Sequence, residues 1–330
     1  MRLYKKAAAC LLTAAMAISM LTACGGGGGS SGGNTGGNTG GNTLPDDSNQ
    51  IILPDIDEGE GGGEGGGEGT ETKPTKTPII DVNNSKLAKF NEKYAGATEF
   101  YVEAQMIEYD EDGSTENSTD GCVAAKSDTV YTKITLSGKN QKQLSIEELM
   151  LKEGDYNNNY LLLRNGKVAV RMSSYKSESD DPISLGTLIT DKLPSQMWST
   201  KVKVGPTEYY AEVYKTDYRE CTVCFAPDGK PVYEFVRELN EKRLDNATLY
   251  KTIQAGSGSS KRLCRIPTGF KTYSFDFRNG TLTDANGNVF TLEPQTNGAG
   301  DVTSVKVFDK NNKDVSNNFK WVYDFYTMYE

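Results

Sequence analysis

The chain has no histidine. That absence removes the Ser-His and Cys-His nucleophile pairs, the common zinc ligand sets and the most versatile general base. Cysteine is scarce too. Of six in 330 residues, Cys10 lies in an apolar leader and Cys24 at its end, which leaves Cys122, Cys221, Cys224 and Cys264 for the folded part. Positive charge is also short, with 36 Lys and Arg against 45 Asp and Glu and a formal charge of −9. Loss of the leader takes away Arg2, Lys5 and Lys6 and brings the charge to −12. Such an acidic body suits neither nucleic acid nor an anionic membrane surface, so no nucleic-acid partner is expected.

What is present begins with that leader. A basic start, an apolar run from Ala7 to Leu21 and a string of glycines after Cys24 make a secretory signal peptide over residues 1–23, too short and Ala-rich for a stable membrane span. Its end, Leu21-Thr22-Ala23-Cys24, resembles the lipobox of bacterial lipoproteins. The resemblance implies that Cys24 carries a diacylglyceryl group and becomes the mature N-terminus. The protein would then sit on the extracytoplasmic face of the cell membrane, and two acyl chains at about 0.8 kcal/mol per buried methylene would hold it there. Residues 24–84 read as the lipidated Cys and a disordered tether, with near-repeats of Gly-Gly-Asn-Thr and Gly-Gly-Gly-Glu. About 55 such residues span roughly 40 Å on average and about 180 Å when pulled out. The apolar island Ile51-Ile52-Leu53 is read as unstructured.

Ser85 is an N-cap signal before a short amphipathic helix in which Leu87, Phe90 and Tyr94 share a face. After Gly96 the period changes to 2. Phe100 to Ile107, Gly121 to Ala125, Thr129 to Leu136, Tyr160 to Leu163 and Lys167 to Met172 alternate as strands, the last two joined through Asn165-Gly166, a strong hairpin signal. Ser145 to Met150 reads as a helical turn, with Ser145 and Glu148 as a capping box, and Asp181 to Leu193 as a second helical or loop element. Further strands follow at Tyr209 to Tyr214, Arg219 to Phe225 and Pro231 to Glu238, with an edge at Leu263 to Ile266 after a Gly/Ser loop. The expected fold class is α+β, mainly antiparallel β: a curved sheet with one or two helices inserted.

These features, with the Tyr209 to Tyr214 strand (Tyr-x-Ala-Glu-x-Tyr), the Gly229-Lys230 hairpin and Ile266-Pro267-Thr268-Gly269-Phe270, resemble the LolA/LppX-like lipoprotein half-barrels over residues 85–273. The resemblance implies a half-barrel whose concave face, shielded by helices, holds acyl chains or a lipidated protein. Residues 274–330 read as a small β appendage packed on it. Within that appendage Asn279-Gly280 and Asn286-Gly287 mark turns, and Asp309 to Phe319 resembles a turn of small bacterial surface modules, with Asn312 where that pattern has glycine.

No catalytic residue, cofactor or metal site is expected. Cys221 and Cys224 lie three apart on a strand and point to opposite faces, which suits neither a redox pair nor a zinc knuckle. The four cysteines are free buried thiols or form a cross-strand disulfide. Glu103, Glu212 and Glu234 read as a solvated sheet face, and Asp284 to Asn288 as a hairpin turn, since its spacing does not fit a calcium loop. The apolar signal is Val102, Met106, Leu162, Val170, Val223 and Phe225, which form either a filled core or the lining of a lipid-sized cavity. The functional expectation is a non-catalytic, membrane-anchored surface lipoprotein that binds a lipid or other amphipathic ligand. The other reading is a structural or interaction module with a filled core, contacting cell-wall polymer or a partner protein; a third, less favoured, is a hydrolase working through a pair of carboxylates alone.

Overall fold

The computed structural model describes residues 43–54, 74–138, 143–176, 184–190, 193–216, 218–239 and 243–328. The leader, Cys24 and the first glycine tract lie outside them, as do residues 181–183 and 191–192 of the expected second helical element. None of the described helices is long and apolar enough to cross a membrane.

The N-terminal segment adds two short strands, β1 (Ile51–Ile52) and β2 (Thr77–Pro78), before α1 (Lys86–Tyr94). Ser85 caps α1, its hydroxyl accepting from the Ala88 N–H at 3.0 Å. Then come β3 (Glu99–Tyr109), β4 (Thr115–Lys126), β5 (Thr129–Gly138), β6 (Leu144–Glu153), β7 (Tyr156–Leu163) and β8 (Val168–Lys176). A 3-10 turn at Leu185–Thr187 leads to β9 (Met197–Val204), β10 (Thr207–Lys215), β11 (Arg219–Phe225), β12 (Pro231–Glu238) and β13 (Leu244–Ala255). The chain ends with α2 (Ser257–Leu263), β14 (Lys271–Asp276), β15 (Thr281–Asp284), β16 (Val289–Thr296), β17 (Val302–Phe308) and α3 (Val322–Thr327).

The protein is mainly antiparallel β, in one open sheet. Pairing runs β9-β10-β11-β12-β13-β3-β4-β5-β6-β7-β8-β14-β15-β16-β17, with only β8 and β14 parallel. No pairing among the described residues joins β9 to β17. The front face carries α1: its Leu87 and Phe90 share a cluster with Val102, Val123, Val223, Phe225 and Leu185. Gly186 lets the 3-10 turn meet the end of α1, since a Cβ there would come within 2.5 Å of the Asn91 carbonyl oxygen. The C-terminal strands continue the same sheet. On its front face Phe319, Trp321, Val322 and Phe325 lie against Leu161, Leu163, Val168 and Val170. A Cβ at Gly166, in the Asn165-Gly166 hairpin, would collide with Trp321.

Three sequence expectations are corrected. Ser145 to Met150 is part of strand β6, not a helical turn: pairing with β5 and β7 on both sides outweighs a local capping signal. Leu263 to Ile266 is not an edge strand; Leu263 ends helix α2, and the residues after it pack on the back of the sheet with Ala124 and Leu162. The Ile51-Ile52-Leu53 island is folded. Leu44, Ile51 and Leu53 are buried on the back face with Val202, Tyr233 and Phe235, and Tyr109 and Tyr233 donate to the Pro45 and Thr43 carbonyls.

This segment is also pinned by charge. Glu220, fully buried, pairs with Lys76 at 2.6 Å and with Arg237, whose guanidinium donates to the Pro54 carbonyl at 2.6 Å. Pro54 and Lys76, on either side of residues 55–73, are therefore fixed at one place on the back face. From there β2 runs along the outer edge of β9, and Ile79 and Val82 join the α1 cluster on the front. With β1 pairing further along β9, the segment covers an edge that would otherwise be open to another strand.

Candidate functional site

The front face is built around the seat of α1. Strand β10 turns Tyr210, Glu212 and Tyr214 to this face, opposite Phe225, Val223 and Cys221 of β11. The Glu212 carboxylate accepts from the Lys86 and Leu87 N–H groups at 2.6 and 2.9 Å and from the Tyr210 hydroxyl at 3.0 Å. A carboxylate at a helix N-terminus satisfies donors with no partner inside the helix and complements its dipole. Beside it, buried Glu234 accepts from the Tyr250 hydroxyl at 2.7 Å, while its other oxygen has no partner among the described residues. Burial raises this carboxyl to about 7 despite the Tyr250 bond, which lowers it.

One row of cross-strand neighbours runs from the α1 cluster to the α3 cluster: Val102, Val123, Thr132, Glu148, Leu161, Val170 and Tyr273. Such neighbours share a face. Val102 and Val123 lie under α1, and Leu161, Val170 and Tyr273 under the C-terminal residues. Between the two caps lies a strip whose Ile134, Ile146, Met150 and Met172 are half-buried. Met150 leans on the α1 cluster, and Ile146 and Met172 on the α3 cluster.

Glu148 sits in the middle of this strip. Burial raises its carboxyl to about 8, and it has no hydrogen-bond or ion-pair partner among the described residues. Its neighbour Glu147 points to the back and is fully engaged, by Arg164 at 2.6 and 2.7 Å, the Tyr131 hydroxyl at 3.0 Å and Lys133 at 3.6 Å. Successive residues of one strand thus hold one carboxylate ringed by donors and one without any.

The six apolar residues expected to act together are all buried, but they divide. Val102, Val223 and Phe225 are in the α1 cluster, and Met106 follows Val102 and Ala104 on the same face of β3. Val170 belongs to the α3 cluster, whereas Leu162 faces the back among Tyr131, Leu149 and Ala169. Cys221 lies in the front cluster and Cys224 in the back one, on opposite faces as their spacing requires. Cys122 and Cys264 are half-buried, and all four thiols are free. Glu212 and Glu234 are buried rather than solvated, which corrects that expectation; Glu103 is half-buried. Asp284 is a turn residue, accepting from the Asn286 and Asn288 N–H groups and the Asn288 amide, each at 2.9 Å. Among the described residues no group of three or more Cys, Asp or Glu is placed to hold a metal ion.

An open groove of about 770 Å³ lies along β9 between β1 and β2. Thr75, Thr77, Ser199, Thr200 and Lys201 line it, and Lys201 pairs with Glu208 at 2.7 Å. Its walls mix hydroxyls, lysines and Glu208 with apolar surface from Ile52, Pro74 and the Tyr210 ring. Sequence reasoning missed Glu148, Glu212 and Glu220 as distinctive positions. The alternation Leu144, Ile146, Glu148, Met150 held the signal for the first, a charged residue in an apolar register. No protein-family model matches the chain, and no curated protein matches it.

Proposed function

We propose that this protein is a membrane-anchored surface lipoprotein, non-catalytic, that holds a lipid or other amphipathic ligand on the front face of its sheet. In this reading the sheet curls toward α1 as a half-barrel of the LolA/LppX type. The supporting observation is the front-face row itself. Its two ends are covered by helical caps, while the stretch between them keeps Ile134, Ile146, Met150 and Met172 half-exposed around an unpartnered carboxyl. A curl is favoured by the α1 cluster, which takes in Met197 of β9 and Val130 of β5, eight strands across the sheet counting both. Flexible Met and branched Ile side chains offer area without directed hydrogen bonds, which suits an aliphatic chain.

Anchoring rests on Cys24. Because the chain is bound to the sheet from Thr43 onward, only residues 25–42 separate the lipid from the domain. Eighteen residues span at most about 65 Å, which would hold the domain closer to the membrane than a tether through residue 84. Changing Cys24→Ala should release the protein into the medium with its fold intact; a variant still sedimenting with membranes would sink the anchoring. Native mass spectrometry with organic extraction, on the chain from residue 25, tests the ligand. Near-stoichiometric lipid, or uptake of an added aliphatic amphipath, is the expected result, and an apo mass with no uptake rejects it.

A second reading, an interaction module with a filled core, is favoured by one observation. Five of the six apolar candidates are buried in three separate clusters, and Met106 is buried apart from them, rather than all around one void. On that reading wall polymer or a protein partner would engage the surface.

A further inference from the structure

We infer that the ligand of the front strip is a single-tailed aliphatic molecule with a protonated amine head, which ion-pairs with Glu148 while its tail lies over Ile134, Ile146, Met150 and Met172. The inference rests on the ligand-binding reading above and adds the charge of the ligand.

A carboxyl among apolar side chains loses hydration and needs a donor in return. Thr132 and Leu161 flank Glu148 across the sheet, and Ile146 and Met150 along its own strand. None of these brings a positive charge. The cations of this region are committed elsewhere: Arg164 and Lys133 to Glu147 on the back face, and Lys152, two positions beyond Met150 on the front, to Asp128 at 3.8 Å. Across from Met150 the register continues with Asn159 and Ser173, and Tyr175 donates to the Met150 sulfur at 3.5 Å. None of those groups is a cation. Among the described residues, then, every side chain facing Glu148 is uncharged, and the missing partner is a cation.

An anionic head would meet the carboxylate and repulsion. A neutral hydroxyl head could donate a hydrogen bond but would bring no charge to offset that of the carboxylate. An ammonium head pairs with it, and the aliphatic tail covers surface the two caps leave open. Binding an ammonium releases the proton that burial holds on Glu148, so affinity for the amine should rise with pH between 6 and 8 and level off above.

The test uses three probes of equal tail length, dodecylamine, dodecanoate and dodecanol, titrated below their aggregation concentrations into the chain from residue 25 at pH 8 and moderate salt. The amine should bind at least tenfold more tightly than dodecanoate. Glu148→Gln should abolish that difference while leaving dodecanol binding within twofold, which separates a charge contact from general attraction to an acidic protein. Glu148→Lys should reverse the preference. Equal affinities for amine and carboxylate, or a preference that survives in Glu148→Gln, overturn the inference but leave the ligand-binding reading standing. If none of the three probes binds, both fall.

Discussion

Replacing Glu220 by Ala removes the hub that holds the N-terminal segment on the back of the sheet. Its side chain is 0% exposed, and its partners Lys76 and Arg237 are 4% and 9% exposed, so the variant removes the carboxylate from beside an ammonium and a guanidinium in a dry site. Breaking a buried pair by deleting one partner costs about 3–5 kcal/mol. The Arg237 bond to the Pro54 carbonyl survives the change and places this case toward the lower end. With a urea dependence of about 3 kcal/mol per M for a domain of this size, the unfolding midpoint should fall by roughly 1 M. The assay is equilibrium urea unfolding of the chain from residue 25, followed by fluorescence of Trp198 and Trp321. A double-mutant cycle with Lys76→Ala isolates the pair and should give a coupling near 2 kcal/mol, well above the value of an exposed pair. A loss below 1 kcal/mol for Glu220→Ala, or a coupling within error of zero, would refute the clamp.

Three further outcomes follow from the same geometry. Glu234 has a carboxyl raised by burial to about 7, so the native state holds its proton more tightly than the unfolded chain does. That contribution is complete below about pH 4.5 and is lost as pH climbs through 7; Glu234→Gln should lift stability at pH 8 by about 3 kcal/mol and leave it nearly unchanged at pH 4.5. Gly186→Ala pushes a methyl into the Asn91 carbonyl and the Ala95 backbone and should cost about 1–3 kcal/mol by thermal melt, whereas Gly258→Ala, with nothing near its Cβ position, should cost under 1 kcal/mol. A chain starting at residue 85, where the sequence alone places the domain boundary, should be much less stable than one starting at residue 43. It lacks buried Leu44, Ile51 and Leu53, each worth about 1.5–3 kcal/mol before ordering entropy; equal urea midpoints for the two would contradict the back-face packing.

What was legible in the sequence was local and periodic. The Ser85 cap, the Asn165-Gly166 hairpin, the opposed faces of Cys221 and Cys224, and the left-handed position at Asn312 (φ 61°) all rest on spacing or on one residue's backbone preference, and each is present. What was not legible depends on partners far along the chain. Ser145 to Glu148 carries a sound helix-start signal, but β5 and β7 claim both of its edges. Ile51 looks stranded in a glycine-rich tract because its partner, Val204, lies about 150 residues away. Glu212 reads as a solvated strand residue until α1, more than 120 residues earlier, is seen to begin on its carboxylate. The candidate site shares this character. Its caps come from the two ends of the folded chain, and Glu148 becomes distinctive only when the strands on either side prove to offer it no cation.

The most direct test of the ligand reading is to see where an aliphatic tail lies. The chain from residue 25 would be incubated with a dodecyl probe bearing a diazirine near its terminal methyl, irradiated, digested and mapped by mass spectrometry. Labelling confined to the front strip, at Ile134, Ile146, Met150 or Met172, and competed away by unlabelled probe, is the predicted result. Label on the back face, in the β9 groove, or spread over the surface without competition would contradict it and direct attention to the filled-core reading.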